Sequence, residues 1–151
     1  MLSKRTQYAL KAMVALAKFE AGVPVMIATL AEQERIPKKF LELILLDLKN
    51  LGVVQSKQGK QGGYYLSRKS EAIQLGYIIR GIEGPLALLP CVSQSAYERC
   101  NDCPDERTCG LRLVMKEVRD ATAKILDHTS LTNVLDRIEK EKTKSEVMFH
   151  I

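Results

Sequence analysis

The chain has no tryptophan, only 2 histidines and few aromatic residues of any kind, 5% of 151 positions. Its core must therefore come mostly from Leu, Ile, Val and Ala, a composition that favours helices. No run approaches the roughly 18 consecutive apolar residues that mark a membrane-spanning helix. The basic N-terminus leads into an amphipathic stretch and not into the apolar centre of a signal peptide. Both absences point to a cytoplasmic protein with no membrane partner. Cysteine is scarce as well, at 4 residues, and all of them fall between 91 and 109. In a reducing compartment such a cluster is not a disulfide framework, and its confinement to one stretch points to a single shared ligand, metal first.

A chain of this length forms one compact domain, or a small domain carrying extra helices. Its charge is unevenly spread. Residues 1–70 hold 12 Lys or Arg against 5 Asp or Glu, net +7, which leaves net −2 of the overall +5 for the remainder. A basic first half beside a slightly acidic second half suits a phosphate-facing module on a scaffold that does not itself bind.

Hydrophobic periodicity then sets out the elements. Ala9, Leu10, Met13, Leu16 and Ala17 recur at helical spacing between Tyr8 and Phe19, closed by Gly22 and Pro24. A short helix is predicted from Ile27 to Arg35, with Ile27, Leu30 and Ala31 inward, broken at Ile36-Pro37. Pro37 suits the first turn of a third helix whose apolar face is Phe40, Leu41, Ile44, Leu45, Leu48 and Leu51, capped by a left-handed Gly52. Two helices joined by so short a turn read as a helix-turn-helix. Val53–Lys57 and Tyr64–Leu66 read as strands around a Gly-rich turn, which in this position is a wing.

A further helix is predicted over Ile73–Ile82, ended by Gly84-Pro85, and Leu86–Leu89 lead in extended form to Cys91. Between Val92 and Thr108 there is no apolar periodicity. After Cys109 a long helix carries Leu111, Val114, Met115, Val118, Thr122 and Ile125 in one stripe about five turns long, which needs a partner and reads as a dimer interface. Thr129 or Ser130 caps a last helix with Leu131, Val134, Leu135 and Ile138 on one face, and a frayed, charged tail is expected beyond Lys140. The expected organisation is a winged helix-turn-helix head over 1–70, then a connecting helix, cysteine loop (91–109) and dimerisation helices over 71–140, with the tail at 141–151. The fold class is mainly α with a small β-hairpin wing.

Two sets of residues carry chemistry. At the N-terminal end of the third helix, Lys38, Lys39 and Glu42 stand where side chains reach base edges in a major groove. In that setting Glu42 costs affinity but can accept from a cytosine amino group; as a solvated helix residue it would do neither. In the wing, Lys57 and Lys60 reach phosphates, Gln58 and Gln61 hydrogen-bond into a groove, and Gly59, Gly62 and Gly63 let backbone N–H groups approach closely. The cysteines form C-x8-C-x2-C-x5-C, with Cys109 at the start of the long helix, where a thiolate is stabilised. Four thiolates with one C-x2-C pair satisfy either tetrahedral zinc or an iron-sulfur cluster, and spacing does not decide between them. A thioredoxin-like use of Cys100 and Cys103 lacks the strand-to-helix context, and a zinc deaminase would need an upstream H-x-E that is absent. His128 and His150 are not read as ligands.

Tyr8-Ala9, Leu41-Glu42, Gly62-Gly63-Tyr64, Glu83-Gly84-Pro85 and the cysteines together resemble the bacterial winged-helix regulator family of IscR, NsrR and CymR, over nearly everything up to Leu135. The resemblance implies no enzymatic activity but a homodimer on a pseudo-palindromic double-stranded DNA operator. It further implies an iron-sulfur cluster, 4Fe-4S or 2Fe-2S, whose state reports redox, nitric oxide or iron-sulfur status. CymR-like members lack the cysteines; in the cluster-binding members three recur, and Cys91 and Cys109 match the outer two, with Cys100 or Cys103 in the middle place. Where IscR-like members place a histidine three residues after the last cysteine, this chain has Arg112, so four cysteines compete for the ligand roles. The position of Glu42 is one that the resemblance associates with operator discrimination.

Overall fold

The computed structural model describes residues 1–149, arranged as six helices and one hairpin. Helix α1 (Lys4–Leu16) starts at Ser3, whose Oγ accepts from the Thr6 backbone N–H at 3.2 Å. Its Ala9, Ala12, Met13 and Leu16 are buried, the three-and-four spacing that sinks one helix face into a core. It ends three residues before Phe19 because the chain tightens into i to i−3 bonds, Lys18 N–H to Ala15 and Phe19 N–H to Leu16.

Helix α2 (Ile27–Glu34) terminates with Arg35 in the left-handed conformation (φ 53°, ψ 47°), and the Ile36 N–H reaches back to the Ala31 carbonyl at 2.9 Å. That helix end, with Ile36 buried beneath it, turns the chain directly into α3 (Lys38–Asn50). The buried face of α3 is Leu41, Ile44, Leu45 and Leu48, with Phe40 and Leu51 partly buried at its edges. Tyr8 meets Phe40 edge to face at 5.8 Å, locking α1 against α3.

Strands β1 (Val54–Lys57) and β2 (Gly63–Leu66) pair antiparallel, Val54 opposite Leu66 and Lys57 opposite Gly63. A third edge comes from Val25, which exchanges two backbone hydrogen bonds with Tyr64 (2.9 and 2.8 Å). The crossing explains the glycine pair. A Cβ on Gly63 would stand 2.2 Å from the Val25 carbonyl oxygen, and one on Gly62 would stand 2.3 Å from that of Lys57. Both positions therefore require glycine on backbone packing alone.

The core of the head does not stop at Ser70. Helix α4 (Leu75–Ile82) contributes Ile78, and Ile73 and Leu131 lie in the same cluster as Met13 and Leu45. The Leu75 N–H bonds to Thr129 and the Leu131 N–H to Ile73, stitching the start of α6 (Leu131–Phe149) beside α4. Ser130 is the cap: its Oγ accepts from the Asn133 N–H at 3.2 Å, while Asn133 Oδ1 accepts from the Ser130 N–H at 2.9 Å. Helix α6 continues past Lys140 to Phe149, where the sequence reading has a frayed tail. The charged residues there support a helix instead, through Lys142–Glu139 and Lys144–Glu141 pairs at i,i+3 (2.7 and 2.6 Å).

Helix α5 (Gly110–Asp127) buries none of its 18 residues within the chain. Leu111, Val114 and Ile125 are 58%, 54% and 61% exposed, and Val118 is exposed as well. What holds it to the head is a bidentate pair, Arg80 Nη1 and Nη2 to Asp127 Oδ1 and Oδ2 at 2.5 and 2.9 Å, seated over Gly76, where a Cβ would lie 2.0 Å from Oδ1.

Glu83 follows α4 and does a second task. Its carboxylate accepts from the Ser3 backbone N–H (3.1 Å), from Ser3 Oγ (2.6 Å) and from the Thr6 hydroxyl, so it closes the N-terminus of α1. The Ser3 hydroxyl, then the Thr6 hydroxyl, hold its pKa below the ordinary glutamate range. A carboxylate with a depressed folded pKa adds stability above its unfolded pKa of about 4.3, and that stability is lost as pH falls through the folded value. Glu83→Gln is expected to melt at a lower temperature than wild type at pH 7, with the two curves converging below about pH 4. A constant difference from pH 7 down to pH 3 would show that ionisation of Glu83 plays no part.

Candidate metal centre and nucleic-acid interface

Cys91 lies buried in a short 3-10 turn, Pro90–Val92, closed by hydrogen bonds from Val92 N–H to Leu89 and Ser93 N–H to Pro90. Two arginines of α5 fasten this turn. Arg112 Nε donates to the Cys91 carbonyl at 3.2 Å, and Arg119, itself bonded to Asp120 at 2.8 Å, donates to the Val92 carbonyl. Cys100 and Cys103 are brought together by a turn in which the Cys103 N–H reaches the Cys100 carbonyl at 3.3 Å. Cys109 is the N-cap of α5.

The position of Cys109 has an electrostatic consequence. Backbone N–H groups of the first turn, that of Arg112 foremost, lower its thiol pKa, and the neighbouring Cys103 lowers it further. Cys103 shifts the other way, raised first by burial and then by its bond to Cys109. The two thiols are thus shifted in opposite directions, as expected where a helix N-terminus favours one thiolate and burial disfavours the other.

All four cysteines, with Leu89, Glu106, Leu111 and Arg112, line one cavity of about 50 Å³. Glu106 is held at its rim by Tyr97, whose hydroxyl donates to both carboxylate oxygens at 2.7 and 2.9 Å. Among the described residues, no three Cys, His, Asp or Glu side chains converge tightly enough to hold one ion. Tetrahedral zinc needs four sulfurs about 2.3 Å from a single point. Four thiolates lining one cavity suit either a single zinc or a group that spreads its ligands over several metal atoms. Glu106, Tyr97 and Arg119 carry no spacing signal, and the sequence reading does not include them; it includes Arg112 only as the residue standing where IscR-like members place a histidine. His128 bonds to the Lys124 carbonyl at 2.8 Å, away from the cavity lining.

On the head, Lys38, Lys39 and Glu42 are all exposed, as are Lys57, Gln58, Gly59, Lys60 and Gln61 in the wing. Gly62 and Gly63 are half-buried at the strand crossing. None of the four lysines makes an ion pair among the described residues. Lys49 ties α3 to β1 by donating to Ser56 Oγ at 2.7 Å, and Asp47 on the opposite flank of α3 is bonded to Arg5 of α1 (Nε to Oδ2, 2.9 Å). The helix and wing therefore form one surface with unpaired positive charge.

Residues 2–137 match the model of a family described as Rrf2, iron-dependent transcriptional regulator. The chain belongs to the Rrf2 family. A Rhodobacter capsulatus relative described as rrf2-like is 39% identical over 138 residues, 89% of this chain and 92% of that one. The structure of CymR (YrzC), the global cysteine regulator of B. subtilis, superposes with a TM-score of 0.76 at 29% identity, covering 91% of this chain and 97% of its own. T. potens IscR superposes with a TM-score of 0.72 at 27% identity, covering 93% and 90%. The winged-helix architecture and the regulator class read from the sequence are both borne out, and this Rrf2 chain is a transcriptional regulator that binds DNA, not an enzyme. Among its described residues no helix is long and apolar enough to cross a membrane.

Proposed function

We propose that this Rrf2 regulator binds a pseudo-palindromic operator as a homodimer, with its affinity set by an iron-sulfur cluster held by Cys91, Cys100, Cys103 and Cys109. The observation that carries the reading is the single cavity lined by all four cysteines at the N-terminus of α5. When bound, such a cluster supplies a redox-active centre whose charge depends on its state. Lys38, Lys39 and Glu42 address the major groove; in the wing Lys57 and Lys60 reach the adjoining phosphates, Gln58 and Gln61 hydrogen-bond into a groove, and Gly59, Gly62 and Gly63 let the backbone approach. The stripe of Leu111, Val114, Met115, Val118, Thr122 and Ile125 meets its symmetry mate across the dimer axis.

Coupling between the two ends has a short non-covalent route. Arg112 and Arg119 join the Cys91 turn to α5, Asp127 joins α5 to Arg80 of α4, and α4 packs in the core beneath α1 and α3. A loop that reorders around its ligand shifts a helix already clamped to the head. A difference of about 1 to 3 kcal/mol between the two states suffices to change operator occupancy five- to 150-fold.

The test is anaerobic purification with iron, acid-labile sulfide and zinc measured on one sample, followed by mobility shift of loaded and apo protein at one fixed salt concentration. Iron and sulfide together with unequal affinities are the expected result. Stoichiometric zinc without sulfide would replace the cluster by a structural metal, and equal affinities would remove the switch.

A further inference from the structure

The outermost line of α3 is not polar. At about 100° per residue, Lys39, Leu43, Leu46 and Asn50 fall within an arc of about 60° directly opposite the buried face formed by Leu41, Ile44, Leu45 and Leu48. Leu43 and Leu46 stand at its two edges, about 60° apart, and are 59% and 53% exposed. Glu42 lies to one side, on the flank from which Lys49 reaches Ser56 of the wing, and Asp47 lies on the other, bonded to Arg5. Two adjacent leucines exposed on a helix that otherwise buries its apolar residues leave large apolar side chains in water without an internal reason.

Their surroundings identify what covers them. The helix is the second of a helix-turn-helix, and Lys38, Lys39, Lys57 and Lys60 around it are exposed and free of ion pairs among the described residues. A polyanion seats on such a ring, and its base edges then face the outermost side chains. In the major groove of B-DNA the one apolar group on a base edge is the C5 methyl of thymine. We infer that Leu43 and Leu46 are specificity-determining residues that read thymine methyl groups, while Lys39 and the wing lysines position the duplex. The inference rests on α3 being the helix that enters the groove. It assigns to hydrophobic contact a part of the readout that the polar side chains of α3 do not supply.

The test starts by selecting duplexes from a random-sequence library with the full-length protein. A thymine in the selected half-site is then replaced by deoxyuridine, which removes the methyl and leaves base pairing unchanged. Wild-type affinity is expected to fall about fourfold for each contacted methyl, as expected for one methyl group of buried apolar surface. Leu43→Ala and Leu46→Ala, changes at exposed positions that leave the core intact, are expected to bind thymine and deoxyuridine duplexes equally. Wild-type binding indifferent to every such replacement overturns the inference and leaves the groove-binding role of α3 standing. Failure to select any duplex overturns that role itself. The deoxyuridine series on wild-type protein decides the matter even if a leucine variant folds poorly.

Discussion

In the homodimer proposed above, glutamate at both Val114 and Val118 is expected to leave monomers and to lower operator affinity by about 10²- to 10⁴-fold, the advantage lost when two linked half-site contacts become independent. The reason lies in the geometry of α5. It carries its apolar stripe along 18 residues without burying one of them in its own chain, and its anchorage is polar, through Arg80–Asp127 at one end and the Arg112 and Arg119 bonds at the other. A helix so held presents its apolar side outward at a real cost in exposed surface unless a second copy covers it. Paired by a two-fold axis, the stripe meets itself, and each new carboxylate would be buried opposite an apolar side chain or its own mate. Light scattering gives the mass and mobility shift gives the affinity. Retention of the dimer would show that the chains associate through another surface. A monomer that still binds the whole operator at wild-type affinity would show that one head suffices.

How far these features can be read from the sequence follows from the physics that places them. The helices of the head are legible because their burial is periodic: the face of α3 proposed from Leu41, Ile44, Leu45 and Leu48 is the face that is buried. The wing is legible through its glycines, although their reading was functional where the structure gives Gly62 and Gly63 a steric cause in the crossing of Val25 and Lys57. The helical continuation to Phe149 is not legible, because a run of charge also suits a frayed tail and the i,i+3 pairs that stabilise it depend on a helix already being formed. Contacts between residues far apart in sequence were invisible for a simpler reason. Glu83 with Ser3, Arg80 with Asp127 and Arg119 with the Val92 carbonyl bring together single polar groups, and one residue has no period. Leu43 and Leu46 were missed in the opposite way: a leucine in a helix reads as core, and only the angular position of α3 against its neighbours shows that these two face out.

Serine in place of Cys91 or Cys109 is expected to reduce bound iron and sulfide in the anaerobically purified protein at least tenfold, roughly the loss seen when even an outer-shell partner of a metal site is removed. These two hold the ends of the site on rigid elements. Cys91 sits in a turn clamped by Arg112, and Cys109 sits at the α5 N-cap, where backbone N–H groups already favour its thiolate. The C-x2-C pair should rank behind them and unequally. Cys103 is partly buried, whereas Cys100 is exposed on the loop, so Cys103→Ser is expected to lose more iron than Cys100→Ser. Each depleted variant should also bind operator with the affinity of apo wild type, since serine leaves the head and the α5 clamp unaltered. Full iron and sulfide in Cys109→Ser would remove the cysteine cavity as the cluster site. Depletion that leaves operator affinity equal to that of the loaded wild type would instead separate the metal centre from DNA binding.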